Sequence, residues 1–170
     1  MTTPNEIWKP IQGYEHYSIT PSGIIRKNET ELIVKESLDK DGYCKVHLNV
    51  NGKQMRRMVH RLVALTFIPN PENKPYVDHI DNNQVNNSLG NLRWATASEN
   101  MQNCKLLPTN TSGVKGVTYN KNGKKWRASI SFEGKKIHIG SYVTIEEATI
   151  ARQSTVNKLY GVFTNVCETL

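Results

Sequence analysis

Cysteine is too sparse in this chain to organise it. Cys44, Cys104 and Cys167 are far apart, odd in number and form no C-x-x-C pair. That spacing excludes a disulfide framework and gives no reason to expect a structural zinc site. Long apolar runs are also missing, and no stretch approaches the length of a membrane span. The segment from Met1 to Glu6 lacks the basic-then-apolar order of a secretory signal. The expectation is a cytoplasmic protein with no membrane partner. Aromatic residues make up only 8% of the chain and hydrophobic residues 37%, with a mean hydropathy of −0.56. At 170 residues, this composition suits one or two domains with small cores.

Acidic residues are the last shortage, 15 against 22 basic ones, for a net charge of +7. The excess is unevenly placed. Residues 113–142 carry seven Lys or Arg and one Glu, residues 1–112 net +2, and residues 143–170 net −1. A basic patch confined to one segment is the electrostatic footprint of a nucleic-acid-binding module.

Small polar groups are abundant in one region. Asp78-His79-Ile80-Asp81 is followed by Asn91-Leu92-Arg93-Trp94 and then by Glu99-Asn100-Met101-Gln102-Asn103. Phosphodiester hydrolysis needs a nucleophilic water, a base to activate it and a cation to neutralise the leaving oxygen. An unperturbed imidazole titrates near neutrality and is the natural base. Carboxylate and amide oxygens are hard donors that suit Mg²⁺ or Mn²⁺. His79 is therefore the candidate base, with Asp78 and Asn100 as ligands of one divalent ion. Successive strand residues face opposite ways, so Asp78 and His79 serve one site only if the strand bends or ends there.

The surrounding pattern gives these residues a scaffold. Residues 76–80 and 92–95 read as short strands, with Asn-rich turn chemistry between them; Asn83, Asn86 and Asn87 read as turn formers. Thr96-Ala97-Ser98-Glu99 reads as a capping box opening a helix, with Asn100 and Asn103 three apart on one face. Val77-Asp78-His79-Ile80-Asp81, Asn91-Leu92-Arg93-Trp94 and Glu99-Asn100-x-x-Asn103, in this order and spacing, resemble the HNH motif whose last histidine is an asparagine, as in phage intron-encoded HNH homing endonucleases. The resemblance implies a ββα-metal fold, with Asp78 and Asn100 on the metal and His79 as general base. It also implies that Asn91 holds the loop and orients the histidine. Asn103 is either a phosphate contact or a polar residue of the helix face.

Residues 113–142 alternate as three antiparallel strands, with turns at Lys121-Asn122-Gly123-Lys124 and Glu133-Gly134-Lys135. A second capping box, Thr144 to Glu147, starts a helix running to about Tyr160. Period-2 alternation turns Val117, Trp126, Ala128, Ile130, Ile137 and Ile139 toward that helix, which answers with Ile145, Ala148, Ala151, Thr155 and Leu159. The opposite face shows Thr118, Asn120, Arg127, Ser129, Ser131, Lys136 and His138. A sheet with such a face fits a DNA major groove. Lys115-Gly116-Val117, Trp126-x-Ala128-x-Ile130, Gly140-Ser141-Tyr142 and Glu146-Glu147-Ala148 followed by Ala151 resemble the plant ethylene-response-factor (APETALA-type) DNA-binding domain over residues 112–161. That resemblance implies DNA contact from Lys115 and the open-face residues. Several arginines and a tryptophan of that family are smaller residues here, so phosphate anchoring weighs more than base readout.

Residues 6–26 resemble the small strand-rich module that often precedes HNH nucleases, with Trp8, Ile11, Tyr14, Tyr17 and Ile19 as its core. Strands over 43–50 and 55–59 meet at Asn51-Gly52, and a short helix follows over 60–67. Arg57 and Arg61 are phosphate contacts or ordinary surface charge. The Cys44-x-x-His47 pair reads as structural. The expected fold is α+β in three parts: a strand-rich module (1–58), an HNH ββα-metal nuclease (59–107) and a sheet-plus-helix DNA-binding domain (112–161). The expected protein is a monomer acting on double-stranded DNA in the cytoplasm of a host cell. Its rival is a non-catalytic DNA-binding regulator built on the same parts.

Overall fold

The structure, a computed structural model, describes residues 7–104, 106 and 108–160. Cys167 and the expected domain limits at residues 1, 107 and 161 fall outside the described residues. Among the described residues the architecture is α+β, with four small antiparallel sheets and three helices. It divides into two compact units, Met1–Ala95 and Thr96–Leu170.

In the first unit, β1 (Lys9–Ile11), β2 (Tyr14–Ile19) and β3 (Ile25–Lys27) form one sheet in that order. A second sheet joins β4 (Ser37–Leu38), β5 (Cys44–Val50) and β6 (Lys53–Met58). The β5–β6 turn is Asn51-Gly52, both at positive φ (51° and 74°) as the tight hairpin requires. Helix α1 (Val59–Phe67) follows directly, then β7 (Tyr76–His79), a single 3₁₀ turn at Leu89–Asn91, and β8 (Leu92–Ala95), which pairs with β7.

One core serves both sheets, α1 and the β7–β8 hairpin. Ile11, Tyr17, Ile19 and Ile25 pack with Val46 and Leu48 of β5, Val59, Leu62 and Val63 of α1, and Leu92 of β8. Tyr14 packs against this cluster from its edge. Trp8 does not join it; the ring is half-buried and the Arg26 guanidinium lies 4.4 Å from its centroid. Cys44 is buried in the core while His47 faces solvent, since the two differ by three positions on one strand.

The second unit opens with α2 (Ala97–Asn103) and continues through β9 (Val117–Asn120), β10 (Lys125–Phe132), β11 (Lys135–Tyr142) and α3 (Ile145–Tyr160). The three strands form a meander with β10 in the centre. The β9–β10 connection is the four-residue loop Lys121-Asn122-Gly123-Lys124, with Lys124 at φ 47°, and β10 and β11 meet at the tighter turn Glu133-Gly134. A register shift between Ala128 and Ser129, where β10 meets β11, displaces the alternation of β11. Ile139 reaches the core, but Ile137 is left 39% exposed.

Helix α3 buries Ala148, Arg152, Val156 and Tyr160, one residue C-terminal to the expected Ala151 and Thr155. The stripe runs i, i+4, i+8, i+12, and it places a charged residue in the core. Gly116 makes room for it. At φ 69°, a Cβ there would collide with the Ser129 carbonyl and the Arg152 Nε.

Candidate active site

Strand β7 ends at His79, and its last two residues, Asp78 and His79, are both buried. This is the strand-end geometry that lets neighbours of opposite pleat serve one place. Register pairs Asp78 with Arg93 of β8, and Arg93 Nε donates to Asp78 Oδ2 at 2.8 Å. A carboxylate has lone pairs for an ion pair and a further partner together.

The imidazole of His79 is braced on two sides. Asn87 Oδ1 lies 3.3 Å from Nε2, and the amide nitrogen of Asn87 donates to the Val85 carbonyl, which fixes its orientation. An amide oxygen only accepts, so this contact puts the proton on Nε2 and the basic lone pair on Nδ1. The rings of His60 and Tyr43 lie 5.0 and 5.9 Å from that of His79. Burial pushes the His79 pKa below its ordinary 6.5, against the Asn87 bond and the carboxylates of Asp81 and Asp78. Burial, then His79 and Arg61 beside it, push His60 down to about 4. Both rings are neutral at pH 7. His60 Nδ1 is buried without a hydrogen-bond partner.

The loop between β7 and β8 is tied by Asn91. Its backbone carbonyl accepts from Ile80 N (2.9 Å) and its Oδ1 from Asp81 N (3.0 Å). Its Nδ2 donates to Asp81 Oδ1 and to the Asn86 carbonyl, both at 2.8 Å. Asp81 also accepts from Asn86 Nδ2 and Asn83 N. Desolvation raises the Asp81 pKa, but the bonds from Asn86, Asn83 and Asn91 outweigh it and the net shift is downward. The residue following His79 is therefore held from both ends of the loop.

Asn100 and Asn103 lie in the second unit, on α2. Both bonds of the capping box are present: Glu99 N to Thr96 Oγ1 at 3.2 Å and Thr96 N to Glu99 Oε2 at 2.6 Å. Asn100 is half-buried. Asn103 is 1% exposed, buried on the helix. Among the described residues, no three His, Cys, Asp or Glu side chains gather into a ligand cage. The donors on offer are carboxylate and amide oxygens, which fit a hard divalent ion that keeps much of its water.

The expected DNA contacts divide into groups. Thr118, Arg127, Ser131, Lys136 and His138 are exposed on the sheet, while Asn120 and Ser129 are half-buried. Arg61 is exposed and donates to the Pro75 carbonyl; Arg57 lies over the Tyr14 ring at 5.4 Å. Lys115 is not on this face. Its ammonium donates to the carbonyls of Met101, Gln102 and Cys104. A helix end with unsatisfied carbonyls is a stronger local attractor than solvent.

Sequence reasoning missed His60, Tyr43 and Arg93, and it read Asn87 as a turn former. A signal existed for two of them. A catalytic histidine needs a partner for its second nitrogen, and Arg93 stands opposite Asp78 once the hairpin is aligned. Nothing local marked His60, which reads with Arg56, Arg57 and Arg61 as part of a basic cluster at the start of a short helix.

Known proteins extend this picture. Residues 57–102 match the family described as HNH endonuclease, and residues 6–49 match the NUMOD4 motif. The DNA endonuclease I-HmuI of Bacillus phage SP01 is 38% identical over 119 residues, which span 69% of this chain and 68% of that protein. The uncharacterized HNH endonuclease L245 of Acanthamoeba polyphaga mimivirus is 38% identical over 113 residues, and L247 of the same virus is 42% identical over 114. The match covers 34% and 28% of their lengths, so the chain spans about a third of these relatives. A solved structure of the HNH homing endonuclease I-HmuI, concerned with its DNA binding and cleavage, is 40% identical and aligns with a TM-score of 0.54 over 57% of this chain and 56% of its own. With more than two thirds of I-HmuI matched and the buried Asp78-His79 pair standing in the matched region, the chain belongs to the HNH endonuclease family.

Proposed function

We propose that this protein is a divalent-metal-dependent DNA endonuclease of the homing type, nicking or cleaving duplex DNA at a preferred site. The observation that carries the reading is the Asp78-His79 pair at the end of β7, buried and braced by Asn87 and by the Asn91-tied loop. His79 is the general base. Its proton sits on Nε2 against Asn87, and Nδ1 takes the proton of the attacking water. The depressed pKa keeps the ring neutral, and so ready to accept, at physiological pH. Asn91 is a positioning residue that fixes the backbone on either side of Ile80. Asp78 and Asn100 are the proposed donors to Mg²⁺ or Mn²⁺, which when bound neutralises charge developing on the phosphodiester.

The exposed face of β9–β11 is the proposed duplex-holding surface. Arg127, Lys136 and His138 are exposed on this sheet and supply its positive charge and donors. Arg57 and Arg61 are proposed phosphate contacts of the first unit.

Incubating the protein with supercoiled plasmid and Mg²⁺ or Mn²⁺ tests the reading. Relaxation to open circle that disappears in chelator and in His79→Ala supports it. A gel shift without any cutting, in either metal, would instead establish a DNA-binding regulator.

A further inference from the structure

Lys115 is the least solvent-directed cation of the basic segment. Its Nζ lies 2.6 Å from the Met101 carbonyl, 2.9 Å from that of Gln102 and 3.0 Å from that of Cys104. An ammonium has three donors and no acceptor, and here three carbonyls take all three. These carbonyls close the end of α2, a helix of seven residues with no basic residue in its own last turn. Its C-cap, Cys104, is in neither a glycine-type nor a left-handed conformation. A helix this short is unstable alone, and its final carbonyls have no intrahelical partner. The missing cap therefore comes from outside the helix, 11 to 14 residues further along the chain.

A second contact acts on the same turn. Gln102, 4% exposed, accepts from Arg152 Nη2 at 3.4 Å. Arg152 is buried on α3 beneath Gly116, the residue that follows Lys115. Asn100 directly precedes the first capped carbonyl, and its own carbonyl accepts from Cys104 Sγ at 3.4 Å. The amide assigned to the metal thus stands on a turn whose far end is held by Lys115 and Arg152.

We infer that Lys115 is a positioning residue of the nuclease, an ammonium cap that fixes α2 and so fixes the amide of Asn100, and that it is not a DNA contact. The inference rests on the reading of Asn100 as a metal donor. It assigns the sheet domain a part in building the cutting site besides holding the duplex. It also removes one charge from the DNA face, leaving six of the seven basic residues of 113–142 to act there.

Two measurements separate the cap from its catalytic consequence. Reductive methylation of the wild-type protein, read by peptide mass spectrometry with and without duplex DNA, tests the cap on the intact chain. Lys115 should stay unlabelled in both states while Lys121, Lys124 and Lys136 label freely without DNA. Ready labelling of Lys115 that DNA suppresses would overturn the inference. The second measurement is Lys115→Met in a metal titration of plasmid nicking. The midpoint for Mn²⁺ should rise about tenfold or more, as when a group supporting a metal ligand is lost. Duplex affinity in chelator and its salt slope should match wild type. An unchanged midpoint with a slope smaller by about 0.9 would mean a lost phosphate contact and would overturn it. Lys115→Arg should recover part of the midpoint, because the guanidinium restores charge and some donors. Asn100→Ala is the control for the underlying reading. If it leaves the midpoint unchanged, the metal assignment fails, while the labelling result still decides the cap. If Lys115→Met does not fold, labelling of the wild type again decides.

Discussion

His79 receives its chemistry from its neighbours. Burial depresses its pKa, Asn87 orients it, and a neutral His60 ring meets it edge-on without adding charge. His79→Ala should lower the nicking rate by about 10²–10⁴-fold while duplex affinity stays near wild type; near-normal cutting by the variant at neutral pH would remove the base assignment. Asn87→Ala should give a smaller loss in kcat with little change in affinity, because it frees the ring to take the other tautomer. Asp78 needs a subtler probe. Truncation to Ala would leave the mostly buried Arg93 without its carboxylate, a change that costs about 3–5 kcal/mol for a buried pair. Asp78→Asn keeps the shape and removes the charge. Its metal midpoint should move upward in a titration at constant DNA, with a smaller drop in thermal stability than Asp78→Ala.

Strands and helices were legible where the chemistry is local. Both capping boxes, the Asn51-Gly52 hairpin and the order of strands around Asp78 follow from propensities that act over a few residues. On α3 the core-facing position is not the apolar Ala151 but the charged Arg152. Only tertiary structure supplies Gln102 and the space over Gly116 that allow it there. Ile137 pairs with the buried Ile130 on the same face of the sheet and is still 39% exposed, because β11 is an edge strand; alternation gives the face but not how far the helix covers it. Within the site, Asp78, His79 and Asn91 were visible as a motif. The bracing by His60 and Tyr43 was not, because it depends on distant segments packing together, and that by Asn87 depends on how the β7–β8 loop folds back on the ring. The sheet face leads to a prediction of its own. Arg127 and Lys136 are exposed on neighbouring strands, so Arg127→Ala and Lys136→Ala should each reduce the salt slope of duplex binding by about 0.9 if each neutralises one phosphate. Binding constants measured across a salt series would show this, and slopes equal to wild type would exclude that face as the duplex surface.

The division at Ala95 and Thr96 gives the two ends of the chain different sensitivities. In the first unit, His60 binds a proton near pH 6.5 when unfolded and only near pH 4 when folded, through burial among Tyr43, His79, Arg61 and Asp39. Between those values the unfolded chain holds more protons. The stabilising contribution is therefore full above 6.5 and is lost as pH falls toward 4. The shift corresponds to about 3 kcal/mol as an order of magnitude. Urea melts at neutral pH and near pH 4 should show His60→Phe less acid-sensitive than wild type; equal sensitivity would place the effect elsewhere. In the second unit the critical dependence is on chain continuity. The assigned catalytic residues all precede residue 107, and sequence alone suggests that a fragment ending there would still cut. The structure argues otherwise. Such a fragment keeps Asn100 but loses Lys115, Arg152 and Tyr160, and with them the cap and core of the unit in which α2 folds. Seven residues do not sustain a helix in water by themselves. The fragment should retain the first unit as a folded body, lose the protection of α2 amides from hydrogen exchange, and nick plasmid only at metal concentrations well above those the full chain needs. Adding residues 108–160 back as a separate chain should not restore the full-chain midpoint at micromolar concentration, because the cap must then form between molecules. A fragment with wild-type metal dependence would show that α2 needs no support from the sheet domain.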